Sequence, residues 1–189
     1  GNLTNAKSLK NKLVESGAIF QTTSDTEAIL HLVSKSNANN VVEKLIDALS
    51  HIEGAYALTI MTKKKLIGVR DPYGIRPLVL GDLDGSPILT SETCALDMVG
   101  AKYVRDVMPG EIVLIDGNGI KSIKYDETKI ERQCLFERIY FARPDSVVKG
   151  NTVYTYRKNL GLELAREWQE SGNCPAKNEA KNTVVVPIP

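Results

Sequence analysis

Apolar residues first recur at helical spacing. Over residues 5–16, Ala6, Leu9 and Leu13 fall on one face and lysines fill the rest, which predicts a helix that Gly17 stops. Ser24 and Glu27 have capping-box spacing and predict a second helix start, with Ile29, Leu32 and Val33 as its apolar face. A third helix is predicted from about Val41, capped by Asn40, with Val42, Leu45, Ile46 and Leu49 on one side. From Ala55 the period changes. Ala55 to Met61 reads as a strand apolar on both faces, which requires cover on both sides. Lys63-Lys64-Lys65 turns the chain and Leu66 to Val69 returns antiparallel. Pro77 to Gly81 and Pro87 to Thr90 predict a second hairpin about Asp84-Gly85. Glu111 to Ile115 and Ile120 to Lys124 predict a third about Asp116-Gly117-Asn118-Gly119, and Thr93 to Val99 a short helix. Helices followed by a meander of hairpins define an α+β domain with helix layers on its sheets.

Residues 126–133 are polar and poor in apolar side chains, so a domain boundary is placed there, with one domain over 1–130 and a second segment over 131–189. In that segment Val153, Tyr156, Leu160, Leu164 and Trp168 mark a long amphipathic helix ending near Gly172. A polar loop over 173–182 then leads to an apolar strand pattern at Val184-Val185-Val186. A helix feeding a buried strand is how an α/β domain begins. A buried strand as last element and a start at Gly1 lead us to expect an internal fragment of a larger protein.

Composition narrows the function classes. The chain is 42% hydrophobic and 25% charged, enough to bury a core, and its net charge of +1 gives no polyanion-binding surface, so nucleic acid is not expected. No apolar run approaches the roughly 18 residues of a membrane span. Neither a signal-peptide nor a lipidation pattern is present. Three widely spaced cysteines, Cys94, Cys134 and Cys174, disfavour a disulfide framework and suit a reducing cytoplasm.

Candidate chemistry is sparse. There is no Ser/His/Asp set and no glycine-rich phosphate loop of the needed spacing. Arg70-Asp71-Pro72-Tyr73-Gly74-Ile75-Arg76-Pro77-Leu78 is a strongly determined turn, read either as a rigid connector or as the border of a site. Asp25 falls in the first turn of the second helix. There its carboxylate serves the helix dipole or a ligand, and the pattern alone does not choose.

Resemblance extends this reading. Gly1-Asn2-Leu3-Thr4-Asn5 resembles the end of the HNGNLTN motif of class II glutamine amidotransferases. Thr23-Ser24-Asp25-Thr26-Glu27 is similar to their (T/S)SD(S/T)E motif, Arg70 to Leu78 to RDP(Y/F)GxRPL, and Thr90-Ser91-Glu92-Thr93-Cys94-Ala95 to (S/A)SE(S/T)CA. Tyr140-Phe141-Ala142-Arg143-Pro144-Asp145-Ser146 resembles the YFARPDS segment of the glutamine phosphoribosylpyrophosphate amidotransferase branch. The other glutaminase-domain enzymes, such as glucosamine-6-phosphate synthase, and a degenerate non-catalytic module are the alternatives.

The resemblance implies an N-terminal-nucleophile hydrolase fold, a four-layer αββα sandwich here incomplete, followed by the start of an α/β type I phosphoribosyltransferase domain. It implies an N-terminal cysteine, upstream of this chain, that releases ammonia from L-glutamine. That ammonia then displaces pyrophosphate from phosphoribosyl pyrophosphate to give 5-phosphoribosylamine, the opening of purine synthesis. Gly1 matches the glycine whose backbone N–H helps form the oxyanion hole, and Asp25 the carboxylate that receives the α-amino group of glutamine. Cys134 fits one ligand position of the [4Fe–4S] cluster that one branch carries, and Mg2+ would serve the phosphoribosyl half through ligands outside this chain. A cytoplasmic homo-oligomer is expected from the family. The nucleophile being absent, the chain alone is expected to be inactive.

Overall fold

The computed structural model describes residues 1–172, Cys174 and residues 180–186. Internal contacts divide the chain into Gly1–Leu135 and Phe136–Pro189, each described by itself.

In the first unit a two-residue strand β1 (Asn2–Leu3) precedes three helices, α1 (Ala6–Glu15), α2 (Thr26–Lys35) and α3 (Val41–Leu49). Asn40 caps α3 as the sequence predicts, its side-chain oxygen accepting from the amides of Val42 and Glu43 at 3.1 Å each. Then come β2 (Gly54–Ala55), β3 (Ala57–Met61), β4 (Leu66–Arg70), β5 (Val79–Leu83), β6 (Ser86–Thr90), α4 (Thr93–Val99), β7 (Lys102–Asp106), β8 (Glu111–Asp116) and β9 (Gly119–Lys124). All pairings are antiparallel. One sheet has the order β3-β4-β8-β9, a second β6-β5-β7, and β1 pairs with β2.

Strand alternation sorts the apolar side chains into three interfaces. Ile67, Val69, Ile112 and Leu114 of the first sheet pack with Leu9, Ile29, Leu45 and Leu49 of the helices. Val113 and Ile115, on the opposite face of β8, pack with Leu78, Leu80 and Leu89, between the sheets. Val79 and Leu83, pointing away from that core, pack with Leu96 of α4. The layer order is therefore helices, sheet, sheet, helix. At Gly81, on the outer face of β5, an added Cβ would overlap the Leu96 side chain, so β5 and α4 meet through the space a side chain would take.

The second unit contains a π-helical turn (Glu137–Phe141), a small hairpin of β10 (Val147–Val148) and β11 (Asn151–Thr152), and helix α5 (Val153–Glu170). Thr152 caps α5 by accepting from the Thr155 amide. Arg157 donates to the carbonyls of Arg138 and Ala142, at 2.9 and 2.8 Å, and ties α5 to the π-helical turn. The predicted helix is present, but of its predicted apolar face only Val153 is buried, whereas Leu160, Leu164 and Trp168 are exposed. The predicted strand at Val184–Val186 is not formed in its described part. Those valines are exposed, and no described strand offers them a ladder partner. The predicted 173–182 loop lies mostly outside the described residues. No helix of the described residues is long and apolar enough to cross a membrane.

Candidate functional site

The two sequence-predicted site residues of the first unit meet through β1. Its register against β2 is Asn2 to Ala55 and Leu3 to Gly54. The Thr4 amide donates to the Glu53 carbonyl at 2.8 Å. Asn5 clamps the same segment, its amide nitrogen on the His51 carbonyl and its oxygen accepting from the Glu53 amide. Gly54 has φ +130, and a Cβ there would overlap the Asn2 carbonyl. A Cβ on Gly1 would lie 2.6 Å from the Ala55 carbonyl oxygen. Both positions therefore require glycine, and Gly1, just before β1, runs close beside the β2 backbone.

The other edge of β1 is met by a side chain. The Leu3 amide donates to Asp25 Oδ2 at 2.9 Å. Asp25 is half-buried, immediately before α2, with helical φ and ψ. The capping box expected from Ser24 and Glu27 is not made. Ser24 Oγ bonds instead to Thr26 Oγ1, and the Glu27 carboxylate reaches back to the Thr22 hydroxyl and the amides of Gln21 and Thr22. These bonds, the Thr22 hydroxyl foremost, hold Glu27 below the usual carboxylate range. Glu27 thus pins the entry loop, and Asp25 turns towards β1.

The Arg70–Leu78 stretch supports this arrangement from behind. Asp71, fully buried, accepts the Tyr73 and Ile75 amides on Oδ1 and the Arg76 amide on Oδ2, at 3.0 to 3.1 Å. Arg70, also buried, donates to the carbonyls of Arg76, Val107 and Gly74. The side chains of Arg70 and Asp71 thus bond to backbone groups and hold the stretch as a rigid connector. A turn of nine residues has too many inward-facing amides and carbonyls to leave unmet. The Asp71 amide in turn donates to the Tyr56 carbonyl, one residue beyond β2. Tyr56 and Tyr125 share a 2.8 Å hydroxyl contact, and Tyr125 donates to the Arg70 carbonyl. Burial pushes the Tyr56 hydroxyl up to about 12 and Tyr125 higher still, so both stay neutral donors. Asn2, Thr4, Glu53, Tyr56, Tyr73 and Lys129 line a groove along this face.

Sequence reasoning missed the Asn5 clamp and the Tyr56–Tyr125 pair, because each acts across more than 40 residues of chain. Cys134 is half-buried, and the described residues hold no group of three His, Cys, Asp or Glu placed to bind a metal ion.

Residues 1–98 match the model of the glutamine amidotransferase domain. The whole chain is 48% identical to an amidophosphoribosyltransferase of Rhizobium etli, of which it covers 37%, and 88% of it is 45% identical to the Bacillus subtilis amidophosphoribosyltransferase, of which it covers 35%. A solved B. subtilis glutamine phosphoribosylpyrophosphate amidotransferase, complexed with ADP and GMP, superposes with a TM-score of 0.85 at 46% identity, over 88% of this chain and 36% of that one. The chain thus spans about a third of the length of these relatives. It belongs to the glutamine amidotransferase domain family, and its fold is the α+β type of N-terminal-nucleophile hydrolases. Within that class its similarity is to the amidophosphoribosyltransferases.

Proposed function

We propose that this chain is the part of an amidophosphoribosyltransferase that completes the glutamine site and enters the phosphoribosyltransferase domain, with the domain change falling near residue 130. The observation that carries the reading is the bond to Asp25 from Leu3 of β1, the strand that directly follows Gly1, in a chain 48% identical along its whole length to an amidophosphoribosyltransferase.

In this reading the thiol of an N-terminal cysteine, supplied by chain upstream of Gly1, gives its proton to that cysteine's own α-amino group and attacks the side-chain carbonyl of L-glutamine. The carbonyl oxygen gains the negative charge and is met by the Gly1 N–H. Asp25 holds the α-ammonium of the substrate from its place immediately before α2. Collapse of the tetrahedral species, with that proton passed from the cysteine's α-ammonium to the leaving nitrogen, expels ammonia and leaves a thioester, which water cleaves to glutamate and the free thiol. Ammonia then displaces pyrophosphate from C1 of phosphoribosyl pyrophosphate, giving 5-phosphoribosylamine. The protein works as a cytoplasmic homo-oligomer, without nucleic acid or membrane.

Mg2+ belongs to the phosphoribosyl half, and the described residues offer no ligand set for it. Cys134 alone does not make a [4Fe–4S] site, which takes four thiolates. Its role as one ligand is a proposal that depends on further cysteines. Iron and sulfide in an anaerobically purified full-length enzyme, both lost with Cys134→Ser, are the expected result. Iron retained in that variant removes Cys134 from the ligand set.

The reading as a whole is tested in a full-length enzyme containing this chain, by assaying glutamine-dependent and ammonia-dependent formation of 5-phosphoribosylamine. Asp25→Asn is expected to raise KM for glutamine about 100-fold, the loss of a paired charge, and to spare ammonia-dependent synthesis. Equal loss of both activities would give Asp25 a purely structural role. The 189-residue chain by itself is expected to hydrolyse no glutamine.

A further inference from the structure

We propose that Asp25 is a positioning residue for the oxyanion donor as well as the contact for substrate ammonium, so that one carboxylate sets both substrate binding and the geometry of Gly1. This rests on the function proposed above and deepens it.

β1 is two residues long and pairs with β2 alone. So short a two-stranded ladder is marginal by itself, and the Thr4 amide and the Asn5 side chain hold only the end beyond Leu3, away from Gly1. On its other edge the Leu3 amide points away from β2, and Asp25 Oδ2 accepts it at 2.9 Å, where a third strand would otherwise supply a carbonyl. A carboxylate acceptor makes a stronger bond than a carbonyl does. Leu3 itself is buried, so its amide has poor access to replacement water. Gly1 lies two residues before Leu3, and an added Cβ there would overlap the Ala55 carbonyl oxygen, so its backbone runs close beside β2 and movement of β1 away from Asp25 carries the Gly1 N–H with it. An oxyanion donor works only within a few tenths of an ångström of its place. The second carboxylate oxygen remains for the substrate. Binding therefore draws on the group that already holds the donor strand.

Asparagine and alanine separate the two roles. The asparagine side-chain oxygen still accepts from Leu3 while the charge is gone, whereas alanine removes both. In the 189-residue chain, hydrogen exchange at the Leu3 amide is expected to quicken about tenfold or more in Asp25→Ala and to stay near wild type in Asp25→Asn. In a full-length enzyme containing this chain, both variants raise KM for glutamine. At saturating glutamine, Asp25→Ala lowers kcat about 10- to 100-fold, and Asp25→Asn keeps most of it. Wild-type exchange at Leu3 in Asp25→Ala overturns the proposal, and so does an equal kcat in the two variants. If the full-length wild type has no glutaminase activity, the function proposed above fails, while the exchange rates still decide whether Asp25 holds the strand.

Discussion

Asp71→Ala is expected to destabilise the first unit by about 3–5 kcal/mol, the largest effect of any single side chain in the Arg70–Leu78 stretch. The carboxylate is fully buried and accepts three backbone amides, those of Tyr73, Ile75 and Arg76. Its own amide and carbonyl are engaged as well, with Tyr56 on one side and Gly74 and Gly110 on the other. Alanine leaves the three amides facing a small void. For a unit of this size the loss corresponds to a fall in Tm of about 10 °C or more. Asp71→Asn keeps one acceptor oxygen but turns an NH2 group towards an amide, so it should fall between wild type and alanine. Urea unfolding followed by circular dichroism reads both variants. A loss below about 1 kcal/mol for alanine would mean that water replaces the carboxylate, and that the turn does not depend on it.

A second large effect centres on Glu111, whose side chain is buried beside Ser122 of β9. Its carboxylate is bound bidentately by Arg105 at 2.9 and 2.7 Å, by the Met108 amide at 2.6 Å and by Ser122 Oγ at 2.5 Å. Burial opposes its ionisation, but the Arg105 guanidinium, with Ser122 and Met108, outweighs burial and holds the group below the usual carboxylate range. A depressed folded-state pKa means the unfolded chain binds the proton more readily. The stabilisation is therefore complete above the unfolded value, about 4.3, and is lost as pH falls through the folded value. Glu111→Gln should cost about 2 kcal/mol at pH 7, since the buried Glu111 loses its charged bonds, while the partly exposed Arg105 keeps the Asp106 carbonyl and access to water. The gap between wild type and variant should close as pH is lowered from 5 towards 2. Urea midpoints at pH 7, 5 and 3 test this, and a gap that stays constant with pH would rule out the ionised pair as its source.

Much of the layer structure was legible because alternation and helical spacing record it directly. Ile67 and Val69, or Leu45 and Leu49, declare their faces without reference to distant chain. Asn40 was legible as a cap because capping is local. β7 was not read as a strand. Lys102-Tyr103-Val104-Arg105-Asp106 lies at a sheet edge with its tyrosine and valine exposed, so it lacks the buried alternation that marks an inner strand. β1 is too short to have a period at all. Ser24 and Glu27 misled because capping-box spacing is necessary but not sufficient, and Glu27 found better partners behind it in Thr22 and Gln21. At the site, Gly1 and Asp25 were legible through resemblance to a family. That Asp25 bonds to Leu3 was not, since nothing local in either segment encodes a contact 22 residues away.

The meeting of β5 and α4 at Gly81 bears on how this sequence can drift. A residue larger than glycine at 81 meets the Leu96 methyl groups first and the Lys102 carbonyl oxygen next, so a smaller residue at 96 relieves most of the crowding, and a smaller residue at 96 alone opens a hollow that growth at 81 would partly fill. Each change alone is harmful and the two together much less so, which makes their effects strongly non-additive. Gly81 and Leu96 share most of one volume, bounded by the Lys102 carbonyl, and a lineage that redraws the division one position at a time crosses a poorly packed intermediate.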